Sequence, residues 1–198
     1  MKFKTHLIVL FITTVFMSFK VSSTDEVYKA DTQKSSIEWV AGKVTGEHRG
    51  IVKLGSGTLA LEDNNLKSGS FTIDMKTMAV TDIKGSSAQN LMGHLRGEDF
   101  FSVEKYPSST FVITKVTSVA PDKANITGNL TIKGITNSIS FPATIKKQKN
   151  GITAVAKDVK VDRTKYDIRY RSKSFFGDIG DKAIDDEFFL NINLVCRK

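Results

Sequence analysis

From Ala124 to Lys133 the chain alternates: Ile126, Gly128, Leu130 and Ile132 fall on one side, and Asn125, Thr127, Asn129, Thr131 and Lys133 on the other. A period of two marks a strand with one face toward a core and the other toward water. The same period recurs in Phe71, Ile73 and Met75, in Ile139, Phe141, Ala143 and Ile145, and in Phe188, Leu190, Ile192 and Leu194. Phe111 and Ile113 begin another run, which then switches face. Turn signals separate the runs at Gly55 to Gly57, Asp63-Asn64-Asn65, Ala120-Pro121-Asp122, Gly134 and Asn150-Gly151, so successive strands are expected to pair as antiparallel neighbours. The pattern by itself leaves two all-β architectures, an up-and-down barrel or a two-layer sandwich.

One helix is expected near Ser87 to Leu95, with Ser86 or Ser87 accepting from its first free N–H groups and Gly97 ending it. Ala88, Leu91, Met92 and Leu95 recur at helical spacing, which lays one face on the sheet or over a barrel end. A second short turn is expected at Ser172 to Phe176.

Residues 1–23 read as a secretory signal: Lys2 and Lys4 open it, an apolar stretch runs from Leu7 to Phe19, and cleavage falls near Ser23. The apolar stretch is shorter than the ~20 residues a membrane-spanning helix needs. The remaining residues, 24–198, suit one domain, located in a periplasm or secreted. The single cysteine, Cys196, permits no intrachain disulfide, so packing and backbone pairing must carry stability. Loss of Lys2, Lys4 and Lys20 lowers the net charge from +8 to +5. That balance suits solubility, and it also suits transient contact with an anionic membrane surface.

Catalytic constellations are weak. His94, Arg96, Glu98 and Asp99 could form an acid-base or metal cluster, but only His48 remains as a second histidine after residue 23, and no metal-binding spacing brings the two together. No G-x-S-x-G is present, and Gly55-Ser56-Gly57 lacks the third glycine and the lysine of a phosphate loop. The expectation is a protein that is not an enzyme and needs no metal or cofactor. Arg163, Lys165, Arg169, Arg171 and Lys173 interleave with Tyr166 and Tyr170. For an exported chain a lipid headgroup or membrane surface fits that run better than nucleic acid. Asp178, Asp181, Asp185, Asp186 and Glu187 lack calcium-loop spacing and read as solvated turns.

Three blocks carry a family likeness: HLRGEDFFSVEKYPSSTF (residues 94–111), GNLTIKGITNSISFPATI (128–145) and VDRTKYDIRYRSKSFFGDIGD (161–181). They resemble the YceI-like family, lipocalin-like barrels that bind isoprenoid lipids. The resemblance implies an extended antiparallel up-and-down β-barrel with one or two short helices. It also implies an apolar tunnel for an isoprenoid or similar lipid, such as a quinone tail, carried or stored noncovalently. One departure is Asp167, at a place the family commonly gives to glycine, where aspartate tolerates a left-handed backbone better than most residues.

Phenylalanine is the conspicuous aromatic, 13 in all, with adjacent pairs at Phe100-Phe101, Phe175-Phe176 and Phe188-Phe189. On the family reading, Trp39, Leu59, Leu61, Phe71, Ile73, Phe111, Ile113, Leu130, Ile132, Phe141 and Leu190 line the tunnel, and the segment from Leu91 to Phe101, with Phe100, closes one end. His94, Arg96 and Arg169 would then stand at the mouth and orient a headgroup. Each five-carbon unit buried contributes at most roughly 3 to 4 kcal/mol, and an exposed ion pair about 0 to 1, so the tail would set affinity. The competing reading is a stress-related or interaction protein whose barrel is filled by its own side chains.

Overall fold

A computed structural model of the chain describes residues 25–63 and 65–198. The expected signal over residues 1–23 lies outside them. Each alternating run forms a strand: β1 (Glu26–Ala30), β2 (Ser36–Lys43), β3 (Gly46–Glu62), β4 (Asn65–Val80), β5 (Ser108–Ala120), β6 (Lys123–Ile132), β7 (Ile135–Gln148), β8 (Gly151–Asp162) and β9 (Ile184–Arg197). Helix α1 (Gly85–Arg96) joins β4 to β5, and two 3-10 turns, Arg163–Tyr166 and Gly180–Lys182, lie between β8 and β9.

The strands close into an antiparallel barrel in the order β2, β3, β4, β5, β6, β7, β8, β9 and back to β2. Strand β1 shares the position of β2: it pairs with β3 from Glu26↔Leu61 to Lys29↔Thr58 and meets β9 at Ala30↔Cys196. Closure gives every barrel strand a partner on both sides over at least part of its length and decides between the two architectures the pattern left open. The 17 residues of β3 extend at most about 57 Å, or roughly 43 Å along the axis of a barrel with ordinary strand tilt.

Sequence signals and structure differ at two places. Gly55 to Gly57 is a bulge within β3, where the register against β4 shifts between Leu54 and Ser56. Inward residues before it are Gly50, Val52 and Leu54, and after it Leu59 and Leu61, so two small residues let the strand change phase without turning. The face switch after Ile113 is a second bulge, against β6. The helix begins at Gly85 after Lys84, with no side-chain cap, so Ser86 and Ser87 lie inside its first turn. Gly97 does end it, donating its N–H to the carbonyls of Gly93 and His94.

The two ends differ. The turns after β3, β5 and β7 gather at one end, where Tyr28, Leu61, Ala124, Ile152 and Cys196 are all buried. The other carries α1, the β2–β3 and β6–β7 hairpins, and the long connection from Arg163 to Ala183. Strands β7 and β8 pair only between Thr144↔Val155 and Gln148↔Gly151. Above that they part, and the Arg163–Tyr166 turn ties to β7 through Asn137 Nδ2, which donates to the Lys165 carbonyl at 2.9 Å. Asp167 ends this turn at φ 57°, ψ 33°, a left-handed conformation of the kind implied by the glycine that the resembling family commonly has there.

Candidate functional site

The inward faces of the strands do not meet at the barrel axis. They surround a cavity of about 1540 Å³, counting the open space at its mouth. Its wall includes Trp39, Leu59, Phe71, Ile73, Phe100, Phe101, Phe111, Ile113, Leu130, Ile132, Phe141 and Leu190, together with Leu95 of α1 and Ile184, Phe188 and Ile192 of β9. Apart from Ser109, Arg163 and Asp185, the wall is built from apolar residues. The space is long because the strands are long, and dry chemistry dominates because strand alternation sends the polar residues outward.

Aromatic rings leave the axis open by lying against glycines. Trp39 stands opposite Gly50 on β3, and a Cβ added there would come within 2.2 Å of its ring. Phe71 stands opposite Gly57, where an added Cβ would meet its ring at 2.3 Å. Each large side chain thus folds onto the wall over a residue that has no side chain. The rings of Phe111, the cross-strand neighbour of Phe71, and Phe141 meet at a centroid distance of 5.6 Å.

The remaining sequence-predicted positions fall elsewhere. Leu61 is buried in the packed layer that seals the turn end and is not on the cavity wall. Leu91 packs half-buried against the barrel, but α1 reaches the cavity through Leu95 instead. None of the three expected mouth cations lines the cavity. The Arg96 guanidinium donates to the carbonyls of Lys76 and Met78, fastening α1 to β4. His94 Nδ1 lies 2.9 Å from Asp99 Oδ2 in an exposed pair, and its ring stacks on Tyr170. Arg169 pairs with Asp167 at 2.9 Å and covers the ring of Phe175. Among the described residues no group of histidine, cysteine and carboxylate side chains is arranged to hold a metal.

Arg163 reaches the wall alongside Asp185, and sequence reasoning placed it in a surface run. It is 3% exposed. Its Nε donates to the Asp185 carbonyl at 2.8 Å, Nη1 to that of Ile168 at 2.8 Å and Nη2 to that of Ile184 at 3.0 Å. Nη2 also lies 3.5 Å from Asp186 Oδ1. Burial pushes the guanidinium below its ordinary value, while Asp186, Asp162 and Asp185 oppose the shift. Burial would raise the Asp186 carboxyl, yet Ser172, Ser174 and Arg163 outweigh it and hold the group below its usual range. The Asp186 carboxylate and the Asp185 backbone carbonyl are therefore parts of a structural clamp at the start of β9, whereas the Asp185 residue remains exposed. The local clue was Arg163 directly after a strand and before a turn, but apart from Ile168 its partners lie about twenty residues on. Burial raises Tyr166 to about 12, reinforced by Asp162, and Cys196 to about 11.

A family profile described as the YceI-like domain matches residues 28–196. The chain belongs to the YceI-like family. Curated relatives described as UPF0312 proteins include one from Pseudomonas putida, 28% identical over 120 residues, covering 59% of this chain and 60% of the relative. Another, from Pseudomonas paraeruginosa, is 37% identical over 90 residues, or 41% and 47% of the two chains. The YceI-like chain thus spans about half to three-fifths of the length of these relatives.

Solved structures cover more of it. BcnA of Burkholderia cenocepacia aligns with a TM-score of 0.68 at 22% identity, covering 84% of this chain and 98% of that one. A polyisoprenoid binding domain from Saccharophagus degradans, described as implicated in plant cell wall breakdown, aligns at 0.62 and 13% identity over 86% and 97%. At these identities the likeness establishes the fold, a lipocalin-like closed barrel.

Proposed function

We propose that this YceI-like barrel is an exported binding protein. It holds one isoprenoid or similar apolar lipid, such as a quinone tail, noncovalently in its cavity for carriage or storage. The observation that carries the reading is the unfilled interior walled almost wholly by apolar residues. An apolar chain entering it leaves water along its whole length, and each buried carbon adds about 0.8 kcal/mol before the cost of ordering the chain. The donors of Arg163 are largely engaged by backbone carbonyls, so the wall offers little to a polar headgroup, and affinity rests on the tail. The polyisoprenoid binding domain of similar fold supports the ligand class.

A binding role also fits the chemistry of the wall, which has no nucleophile beside a base. The exposed His94–Asp99 pair lies off the cavity. The alternative, a barrel filled by its own side chains, needs a packed interior and has no observation in its favour. The test is mass spectrometry of a solvent extract from the protein purified without detergent from its own cells. Stoichiometric isoprenoid or quinone is the expected result. An empty extract, followed by no uptake of added quinone, would overturn the reading.

A further inference from the structure

The barrel end that carries α1 also carries a pinned aromatic turn. Ser172 is fully buried, and its carbonyl accepts the N–H groups of Phe175 at 3.2 Å and Phe176 at 2.9 Å. The Ser174 hydroxyl donates to Asp186, and Ile184 N–H donates to the Arg171 carbonyl at 2.9 Å. Arg163 grips Ile168 and Ile184, the two feet of the same connection. The turn is thus anchored on β9, yet it leaves Phe175 46% and Phe176 49% exposed. Two adjacent phenylalanines held out by a fixed backbone lose burial that a freer loop could recover, which marks a surface made for contact.

The cations around them indicate what the contact is. The Arg169 guanidinium lies 4.6 Å over the ring of Phe175, and Arg171 lies over Tyr170 at 5.1 Å. Arg169 is paired with Asp167, whereas Arg171 and Lys173 form no ion pair among the described residues. Asp178 and Asp181 come later in the connection, so the limb leading into the aromatic pair is cationic. Rings at a tip with cations behind them match the layering of a lipid interface, where aromatic groups enter the boundary of the acyl chains and cations meet anionic headgroups.

We propose that the Phe175-Phe176 turn docks the barrel on an anionic bilayer, helix end first. The proposal deepens the lipid-binding reading, since it would set the cavity's helix end against the store of lipid, but the contact itself stands on the turn.

The test places a tryptophan at the tip. In the full chain, Phe176→Trp adds one indole to Trp39, which is buried in the cavity wall and serves as an internal reference. Vesicles of brominated phosphatidylcholine with phosphatidylglycerol should quench the new indole and shift its emission to the blue, and vesicles lacking phosphatidylglycerol should do so far less. Val119→Trp, at a residue 63% exposed on the turn end, should remain unquenched. Arg171→Glu with Lys173→Glu in the Phe176→Trp chain should weaken the response by about tenfold or more. Residues before Asp25 are common to all variants, so differences between positions report orientation. No quenching at position 176, or equal quenching at 119, would overturn the proposal, the former pointing to a protein partner for the turn. Solvent extraction of the same samples separates the two ideas: docking with an empty cavity would sink the lipid-binding reading alone, and a loaded cavity without docking the turn alone.

Discussion

Replacing Gly57 by alanine should narrow the cavity. The new Cβ would lie 2.3 Å from Phe71 Cδ1 and 2.9 Å from Cε1, and the ring would need to retreat by about 1.1 Å to reach an ordinary 3.4 Å contact. The backbone is at its other side, so the ring moves toward the lumen. Overpacking of this kind costs about 1 to 3 kcal/mol, and the reduced freedom of the unfolded chain returns about 0.4 to 1. A net loss of about 0.5 to 2 kcal/mol should lower Tm by roughly 1 to 8 °C. A ring standing in the path of a bound tail removes contact with about two of its carbons, or ~1.6 kcal/mol, which weakens binding by more than about tenfold. Titration with a decyl-tailed quinone, read by quenching of Trp39, the single tryptophan and a wall residue, measures this directly. Gly93→Ala, where nothing stands within 4 Å of the added atom, is the control. Gly57→Ala combined with Phe71→Leu should recover most of the lost affinity. Binding within about twofold of wild type for Gly57→Ala alone would refute the idea that glycines hold the rings clear.

Phe141→Asp should abolish quinone uptake by putting a charge on the apolar wall, whereas Arg96→Ala should lower Tm and leave affinity nearly unchanged; the reverse pattern in the same titration would contradict the placement of both residues. Arg163→Met leaves three carbonyls without their donor and Asp186 without its cation, a loss of about 3 to 5 kcal/mol, so Tm should fall by roughly 6 to 20 °C. Arg163→Lys should rescue little, because one ammonium cannot span the same acceptors, and full rescue would show that charge alone matters. Acid should destabilise the fold: Glu26 is held at about 2, first by the Tyr28 hydroxyl and then by Lys147, and Asp186 is also held low. The stability of such depressed carboxyls is present above their ordinary values and is lost as pH falls toward 2; a flat Tm across that window would refute it. Alkali acts oppositely through Tyr166: its contribution is complete below its ordinary value of 10 and lost as pH rises through about 12, which Tyr166→Phe should flatten in melts at high pH. Cys196, buried with its thiol raised to about 11, should resist thiol reagents at pH 8 until the chain unfolds, so prompt stoichiometric labelling of the folded protein would contradict its burial.

Ten of the eleven strand positions expected on the wall lie on the cavity, because a side-chain period of two survives any arrangement in which one strand face is covered. Leu61 has the right phase but is packed off the cavity even though its cross-strand partner Leu66 reaches the wall, and how far a side chain stands from the lumen is not a local property. That His94, Arg96 and Arg169 do not line the cavity has a related reason. A charge in a loop looks alike in sequence whether it faces a ligand, as expected of Arg96, or holds a helix to a strand, as Arg96 does. Arg163 shows the converse, a cation in a basic run whose partners at Ile184 to Asp186 arrive only when β9 folds back beside β8.

The chain's own pattern determined that strands dominate, where most of them turn and which face of each is apolar, and the family resemblance added that Asp167 would have to tolerate a left-handed backbone. Closure of β3 on β4 and of β2 on β9, the packed layer at one end and the empty volume between the walls came only with tertiary structure. Local periodicity reports which atoms avoid water. Whether they fill their enclosure depends on the circumference of the closed sheet and on glycines such as Gly50 and Gly57 meeting aromatic rings from neighbouring strands.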